Sequence, residues 1–325
     1  MKQAPAILLA AAMCASLFAS SVTVAQSYPT KPVRWVVPYP PGGSPDMIAR
    51  LLTEHLSRKW GQQVVVDNRA GASGTVGAAV AARAPSDGYT LFQCNIASNA
   101  LASSLYAQLQ YDPKRDFAPI TRIGTAPNVI VVHPSLPAAT IAEFLAYAKA
   151  NPGKLTYGSS GIGSSGHLAM ELLRTMTGID LVHIPYKGIS QALADLLGGQ
   201  VLINISSVPA FVSPAQAGRV RALAVTGTKR SMQLPAVPTM VESGFPDFDV
   251  TSWYGVCAPA GTPRTVLDTV HAAVTSVLMT PDVRLRLTEM VVDVAPTSRE
   301  GFDAFIRAET SRWEMISKNA GIVPQ

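Results

Sequence analysis

The chain has 325 residues, 48% of them hydrophobic and only 14% charged, with a formal net charge of +5. That length predicts about two domains, and the composition excludes the low-hydrophobicity, high-charge signature of a disordered chain. The small positive excess contains no clustered run of Lys or Arg, which suits a protein that handles anions and argues against a nucleic-acid binder built on a basic stripe.

Met1-Lys2 is followed by an apolar run from Ala4 to Ala19 and then by small and polar residues ending in Thr23-Val24-Ala25. This pattern predicts a secretory signal peptide over residues 1–25. The run is shorter than the roughly 20 residues a spanning helix needs, and no later segment supplies one. The mature chain, starting near Gln26, is therefore expected to be exported and not embedded in the membrane. Cys14 falls inside the leader, and the bulky Met13 before it argues against lipid attachment. Two cysteines remain, Cys94 and Cys257. An oxidising compartment permits one disulfide, but thiols so far apart in a chain this large need not pair, and they read as two buried free thiols.

Val33 to Val37 reads as a short buried strand, broken by Pro38-Tyr39-Pro40-Pro41-Gly42-Gly43. A helix follows, with Ser44 as N-cap, Pro45 at its first position, Asp46 near its positive end, and Met47, Ile48, Leu51, Leu52 and Leu56 on one apolar face. The same order of strand, Gly/Ser-rich loop and helix then recurs. Val64 to Val66 leads into Asn68 to Gly74 and an Ala-rich helix, and Tyr89 to Phe92 leads into Gln93 to Ser98. Leu155 to Tyr157 leads into Gly158 to Gly166 and a helix from His167 to Met176. Leu181 to Ile184 leads into Pro185 to Gly188, and Val201 to Ile205 leads into Ser206-Ser207. Strands alternating with helices predict an α/β protein with mostly parallel sheets flanked by helices.

In such sheets ligands sit outside the carboxyl ends of the strands, where these six loops lie. Gly and Ser let backbone N–H groups at a helix N-terminus face a bound group, and the helix dipole favours a negative one. A tight turn uses the same residues for geometry alone, so only their repetition points to a ligand site. Toward the C-terminus, Val266, Val270, Val274 and Leu278, then Phe302, Phe305, Ile306 and Trp313, have helical spacing and read as core packing.

Several chemistries are argued against. Gly161 to Gly166 matches G-x-G-x-x-G, but the next strand ends in Ile184-Pro185-Tyr186-Lys187 with no acidic residue, and Asp180 precedes it. Serine-hydrolase elbow, Walker A and zinc-protease motifs do not occur, and the five histidines show no metal-ligand spacing, so no cofactor and no metal is expected. His55 and His271 read as solvated positions on amphipathic helices. His167 opens a helix directly after a Gly/Ser loop and could donate to an anion there or make a structural bond.

The mature chain resembles the extracytoplasmic receptors of tripartite tricarboxylate transporters, often called Bug receptors, along nearly its whole length. The resemblance is carried by Tyr28-Pro29-Thr30-Lys31-Pro32, Val37 to Gly43 with Asp46, Asn68-Arg69-Ala70-Gly71, Ser86 to Leu91, Tyr157 to Gly161, His167-Leu168, His183 to Gly188, Asp195 to Gln200, Arg221 to Val225, Leu234 to Thr239 and Ala258 to Pro263. Each segment is weak alone, and their order makes them specific. The family often has Pro where this chain has Ala70, and Gly where it has Ser73.

The resemblance implies a two-lobed periplasmic-binding-protein fold of the Venus-flytrap type, with residues 26–122 and 253–325 in one lobe and 123–252 in the other. The stretch from Lys229 to Asp247 fits either lobe. It further implies a periplasmic, non-enzymatic, monomeric receptor that passes a small organic carboxylate to membrane transporter subunits. The ligand-binding candidates carried over are Tyr39, Gly42, Gly43, Ser44 and Asp46 from the first loop, and Ser159, Ser160, Gly163, Ser164 and His167 from the second lobe. Gly71, Ala72, Ser73, Ala97, Ser98, Tyr186 and Ser206 join them. Asp46 can also cap its helix or pair with Arg50. Family ligands span amino acids, dicarboxylates, tricarboxylates and aromatic acids. A secreted hydrolase using Ser159 or Ser160 with His167 is the enzyme alternative, and a receptor signalling through a membrane sensor would have the same fold and pocket.

Overall fold

In a computed structural model that describes residues 28–248, 250–319 and 324, the run Val33–Val37 forms β1, with Val33, Trp35, Val36 and Val37 fully buried. A strand buried on both faces belongs inside a parallel sheet, and β1 runs parallel to β2 (Val64–Asn68) on one side and β3 (Thr90–Asn95) on the other. Helix α1 (Ser44–Trp60) connects β1 to β2, and α2 (Thr75–Ala82) connects β2 to β3. After the short α3 (Ala102–Leu105), the 16-residue β4 (Phe117–Val132) carries the chain into a second sheet. There α4 (Ile141–Ala150), β5 (Thr156–Ser159), α5 (Ser165–Thr177), β6 (Val182–Pro185), α6 (Ile189–Leu197) and β7 (Ile203–Ser207) repeat the pattern. The short α7 (Val212–Gln216) and β8 (Arg221–Val225) complete this region. The chain returns along β9 (Thr251–Pro259) and finishes with α8 (Arg264–Leu278), α9 (Pro281–Glu289), β10 (Asp293–Val294) and α10 (Arg299–Asn319). The leader expected over residues 1–25, with Cys14, lies outside the described residues.

The expected parallel pairing holds on the flanks, in β2-β1-β3 and in β6-β5-β7, and gives way at the centre. There β9 is antiparallel to both β3 and β4, and β4 is antiparallel to β7 and β8. The reason is connectivity: β4 leaves the first sheet and β9 comes back, so the two crossing strands point in opposite directions. The change of sheet along β4 falls between Pro127, paired with Thr251 of β9, and Asn128, paired with Ser207 of β7. Of the stretch from Lys229 to Asp247, Leu234 and Val237 pack with Val129, Val131 and Phe211 on the second sheet. Val270, Val274 and Leu278 of α8 pack against Trp35, Leu52 and Val256 on the first.

Three local readings are corrected. Cys94 and Cys257 form a disulfide, with their Cα atoms 6.0 Å apart. Although 163 positions separate them, β3 and β9 are neighbours, with Phe92 opposite Cys257 and Cys94 opposite Gly255. The N-cap of α1 is Gly43, and no side chain caps it. Ser44 is already helical, and its Oγ lies 3.4 Å from Ser207 Oγ of the second sheet. His55 and His271 are half-buried instead of solvated, because helices pack over them. His55 Nε2 meets Asp282 Oδ2 at 2.7 Å, and His271 Nε2 meets the Thr297 carbonyl at 2.9 Å.

Candidate functional site

The loop after β1 is held from behind. Asp46, in the first turn of α1, accepts hydrogen bonds from Gly42 N (3.0 Å), Arg50 Nε (2.9 Å) and Asn68 Nδ2 (3.0 Å). Burial alone would raise its carboxyl, but the bonds from Arg50, Gly42 and Asn68 outweigh it and hold the group below the usual carboxylate range. Asp46 is thus fully engaged in shaping the loop. Gly43 is extended and Pro45 has no N–H, so the first turn of α1 keeps its donors free of any side-chain cap.

The loop from Ser159 to Ser165 is held by a buried aromatic stack. Ser164 caps α5 by accepting from His167 N (3.3 Å), and His167 Nδ1 accepts from Gly163 N (3.1 Å). The His167 ring stacks on His183 at 4.3 Å, and His183 stacks on Tyr157 at 4.7 Å. Tyr157 donates to Glu171 (2.8 Å), whose carboxylate also takes both bonds of Arg174 at 2.9 Å. Burial lowers His167 and, with the neighbouring His167 and Arg174, pushes His183 down to about 3, so both rings are neutral. The 3.9 Å approach of His167 Nε2 to Glu171 is therefore not an ion pair. Ser159 bonds His183 Nε2 at 2.7 Å and not His167, so the Ser159–His167 pair of the hydrolase reading does not form.

These supports surround a cavity between the two sheets. The first sheet contributes Tyr39 to Pro41, Gly43 to Pro45, Asn95 and Ile96. The second contributes Ser160, Ser164, Ser165, Ser206, Ser207 and the start of α6 at Gly188 to Ser190. The returning β9 supplies Ser252 to Tyr254. Among the described residues, no Lys, Arg, His, Asp or Glu lines it. Burial raises both phenols, Tyr254 to about 12 and Tyr39 further, so they too are neutral. Like α1, α6 starts at a glycine with no side-chain cap. N-termini of helices from both sheets, α1, α5 and α6, thus border one uncharged cavity.

Of the residues expected at the site, Tyr39, Gly43, Ser44, Ser160, Ser164 and Ser206 line this cavity. Gly42, Asp46, Ser159, Gly163 and His167 are not among its lining residues. Gly71, Ala72, Ser73 and Tyr186 border an adjoining space that shares Tyr39, Pro40 and Ser160 with the first. There Ser73 Oγ donates across the cleft to the Ile162 carbonyl, and Tyr186 donates to Asp195 at 2.7 Å. Ser73 has a left-handed φ of +53°, which accounts for the glycine common at that position in the family. Ala97 and Ser98 turn away: Ala97 N donates to Asn95 Oδ1 (2.9 Å), and Ser98 Oγ donates to Asn99 (2.7 Å). Sequence reasoning missed Asn95, Ile96, Gly188 to Ser190, Ser207 and Ser252 to Tyr254. Among the described residues no cluster of His, Cys, Asp or Glu could hold a metal ion, and no helix is long and apolar enough to cross a membrane.

Residues 48–322 match the model of the family described as Tripartite tricarboxylate transporter family receptor. The chain is 36% identical over 298 residues to Protein BugT of Bordetella pertussis, covering 91% of each. Among solved structures, Rpa4515 of R. palustris with adipate has a TM-score of 0.88 at 38% identity, covering 92% of this chain and all of that one. MatC (Rpa3494) from Rhodopseudomonas palustris with bound malate has a TM-score of 0.84 at 31% identity, covering 89% and all of it.

Proposed function

The chain belongs to the tripartite tricarboxylate transporter receptor family, and on that premise we propose that its cavity captures a small organic carboxylate for delivery to the membrane subunits of such a transporter. Receptors of this family bind their ligand and do not convert it. We take the two sheets as lobes joined by β4 and β9, opening by hinge motion to admit the ligand. In this reading the chain works as a monomer in the periplasm once its leader is removed.

One observation carries the reading: helix N-termini from both sheets meet at a cavity without charged side chains, and two of them have no side-chain cap. Each such terminus carries roughly half a positive charge and unpaired N–H donors, so a carboxylate fits where a cation has no partner. The serine hydroxyls add donors that rotate to suit. The two solved relatives hold adipate and malate, both carboxylates.

A thermal-shift screen of the mature protein, unfolded and refolded to strip carried ligand, tests this against mono-, di- and tricarboxylates, aromatic acids and amino acids. At about a hundred times its Kd, a ligand that binds only the folded state stabilises by about 2.7 kcal/mol. The reading expects such a shift with one class of acid, lost when its carboxylates are amidated. No shift with any acid would contradict it.

Closure has its own test. A Cβ on Gly163, whose φ is +77°, would lie 2.2 Å from Leu105 Cδ1 of the first sheet's side. Gly163→Ala is expected to hold the cleft ajar and weaken acid binding by at least about tenfold, the equivalent of roughly 1.4 kcal/mol. Adding Leu105→Ala should recover part of the loss in a calorimetric titration. Equal affinity in all three proteins would show that the loop does not close onto Leu105.

A further inference from the structure

Asn95 ends β3, is only 3% exposed and lines the cavity. Its two amide atoms are in opposite situations. Oδ1 accepts from Ala97 N (2.9 Å) and Ser98 N (3.3 Å) and lies 3.4 Å from the Tyr39 hydroxyl, which fixes the amide orientation. Nδ2 is buried and has no hydrogen-bond partner. A buried donor left unmade is costly, and no acceptor among the described residues meets this one. The cavity wall holds no carboxylate either, since Asp46, the acid nearest in sequence to the first loop, is taken up by Gly42, Arg50 and Asn68. An ammonium entering this space would lose its hydration with no counter-charge to replace it.

We propose that Asn95 donates through Nδ2 to an oxygen of the bound ligand, and that the cavity therefore selects carboxylates that carry no ammonium group. The inference rests on the carboxylate-receptor reading and narrows it, because amino acids are among the ligands the family resemblance allows. Nδ2 can donate to a carboxylate, carbonyl or hydroxyl oxygen alike. An amine at that point would place donor against donor.

The test uses matched acids, namely succinate, malate and aspartate, with adipate and 2-aminoadipate, titrated calorimetrically into the refolded mature chain and its Asn95→Asp variant. Asn95→Asp keeps an oxygen to accept from Ala97 and Ser98, turns the donor into an acceptor and adds a negative charge. A melting curve without ligand checks that it folds as the parent does, and Asn95→Ser serves as a second variant if it does not. For the parent, the best amine-free acid is expected to bind at least tenfold more tightly than its amino counterpart. In Asn95→Asp that acid should weaken by about a hundredfold, the size of a lost hydrogen bond to a charged group, and the gap to the amino acid should shrink. Equal binding of an acid and its amino counterpart, or an unchanged affinity in a folded Asn95 variant, would overturn the role of Asn95 while leaving the receptor reading intact. Failure of every acid to bind the parent would overturn the receptor reading, and this inference with it.

Discussion

Replacing Cys94 and Cys257 together by alanine is expected to lower the unfolding free energy by about 2–5 kcal/mol. The bond joins β3 to β9 across 163 positions, so the closed loop contains the whole second sheet. In the chain-entropy account a loop of that length restrains the unfolded chain by about 5 kcal/mol, and relaxation in real proteins usually leaves less. Both sulfurs are fully buried beside Phe92 and Phe117, so the alanines also leave a small void. The same strand pair places Asn95 opposite Tyr254 in the cavity wall. Denaturant unfolding of the oxidised protein, the reduced protein and the double variant measures the effect. A change below about 1 kcal/mol, outside the range a native disulfide typically contributes, would mean that sheet pairing alone holds the return strand.

Acid is expected to destabilise the protein through the His167–His183 stack. Burial, together with His167 and Arg174, lowers His183 from its ordinary 6.5 to about 3, and burial lowers His167 in the same direction. An unfolded chain takes up these protons first as pH falls. The stabilisation is therefore fully present above about pH 6.5 and is lost progressively as pH drops from there toward about 3. At 1.36 kcal/mol per unit, His183 alone contributes up to about 5 kcal/mol across that window. Protonation at His167 Nδ1 would also break the bond it accepts from Gly163 N, so the loop beside the cavity should loosen with the fold. Unfolding free energies from pH 7 to 3.5 for the parent and His183→Gln test this. The variant should show a much shallower decline, and identical slopes would assign the acid sensitivity to other groups.

The strand-loop-helix repeats were legible because apolar runs ended in Gly/Ser loops before amphipathic helices, although Gln93 to Asn95 and Ser206-Ser207, read as loop, continue β3 and β7. The site was half legible. The loop after β1 and the start of α5 carry local signals, and their Tyr39, Gly43, Ser44, Ser160 and Ser164 line the cavity. Asn95 was passed over because β3 reads as ending at Phe92, whereas it continues to Asn95. Gln93 can lie within the strand because it accepts from Trp35 Nε1 (3.0 Å) and donates to the Pro45 carbonyl (2.9 Å), pairings only the fold provides. Three more residues of strand bring Asn95 and Ile96 to the cavity and turn Ala97 and Ser98 away. The wall from β9 had no local signal, since Ser252 to Tyr254 come into reach only when the chain returns from the second sheet. The disulfide was hidden for the same reason. His167 drew notice by opening a helix, yet its ring points into the stack with His183 and orders Gly163 from behind.

The central claim is that the cavity holds a carboxylate by helix N-termini and hydroxyl groups without a cation. A calorimetric titration of the refolded mature chain with the acid that the thermal-shift screen selects and with its methyl ester tests this most directly, since the two differ only in the charge and shape of their ends. The account predicts stoichiometric binding of the acid, with the ester at least about a hundredfold weaker, as removal of hydrogen bonds to charged groups implies. Comparable binding of acid and ester would contradict it.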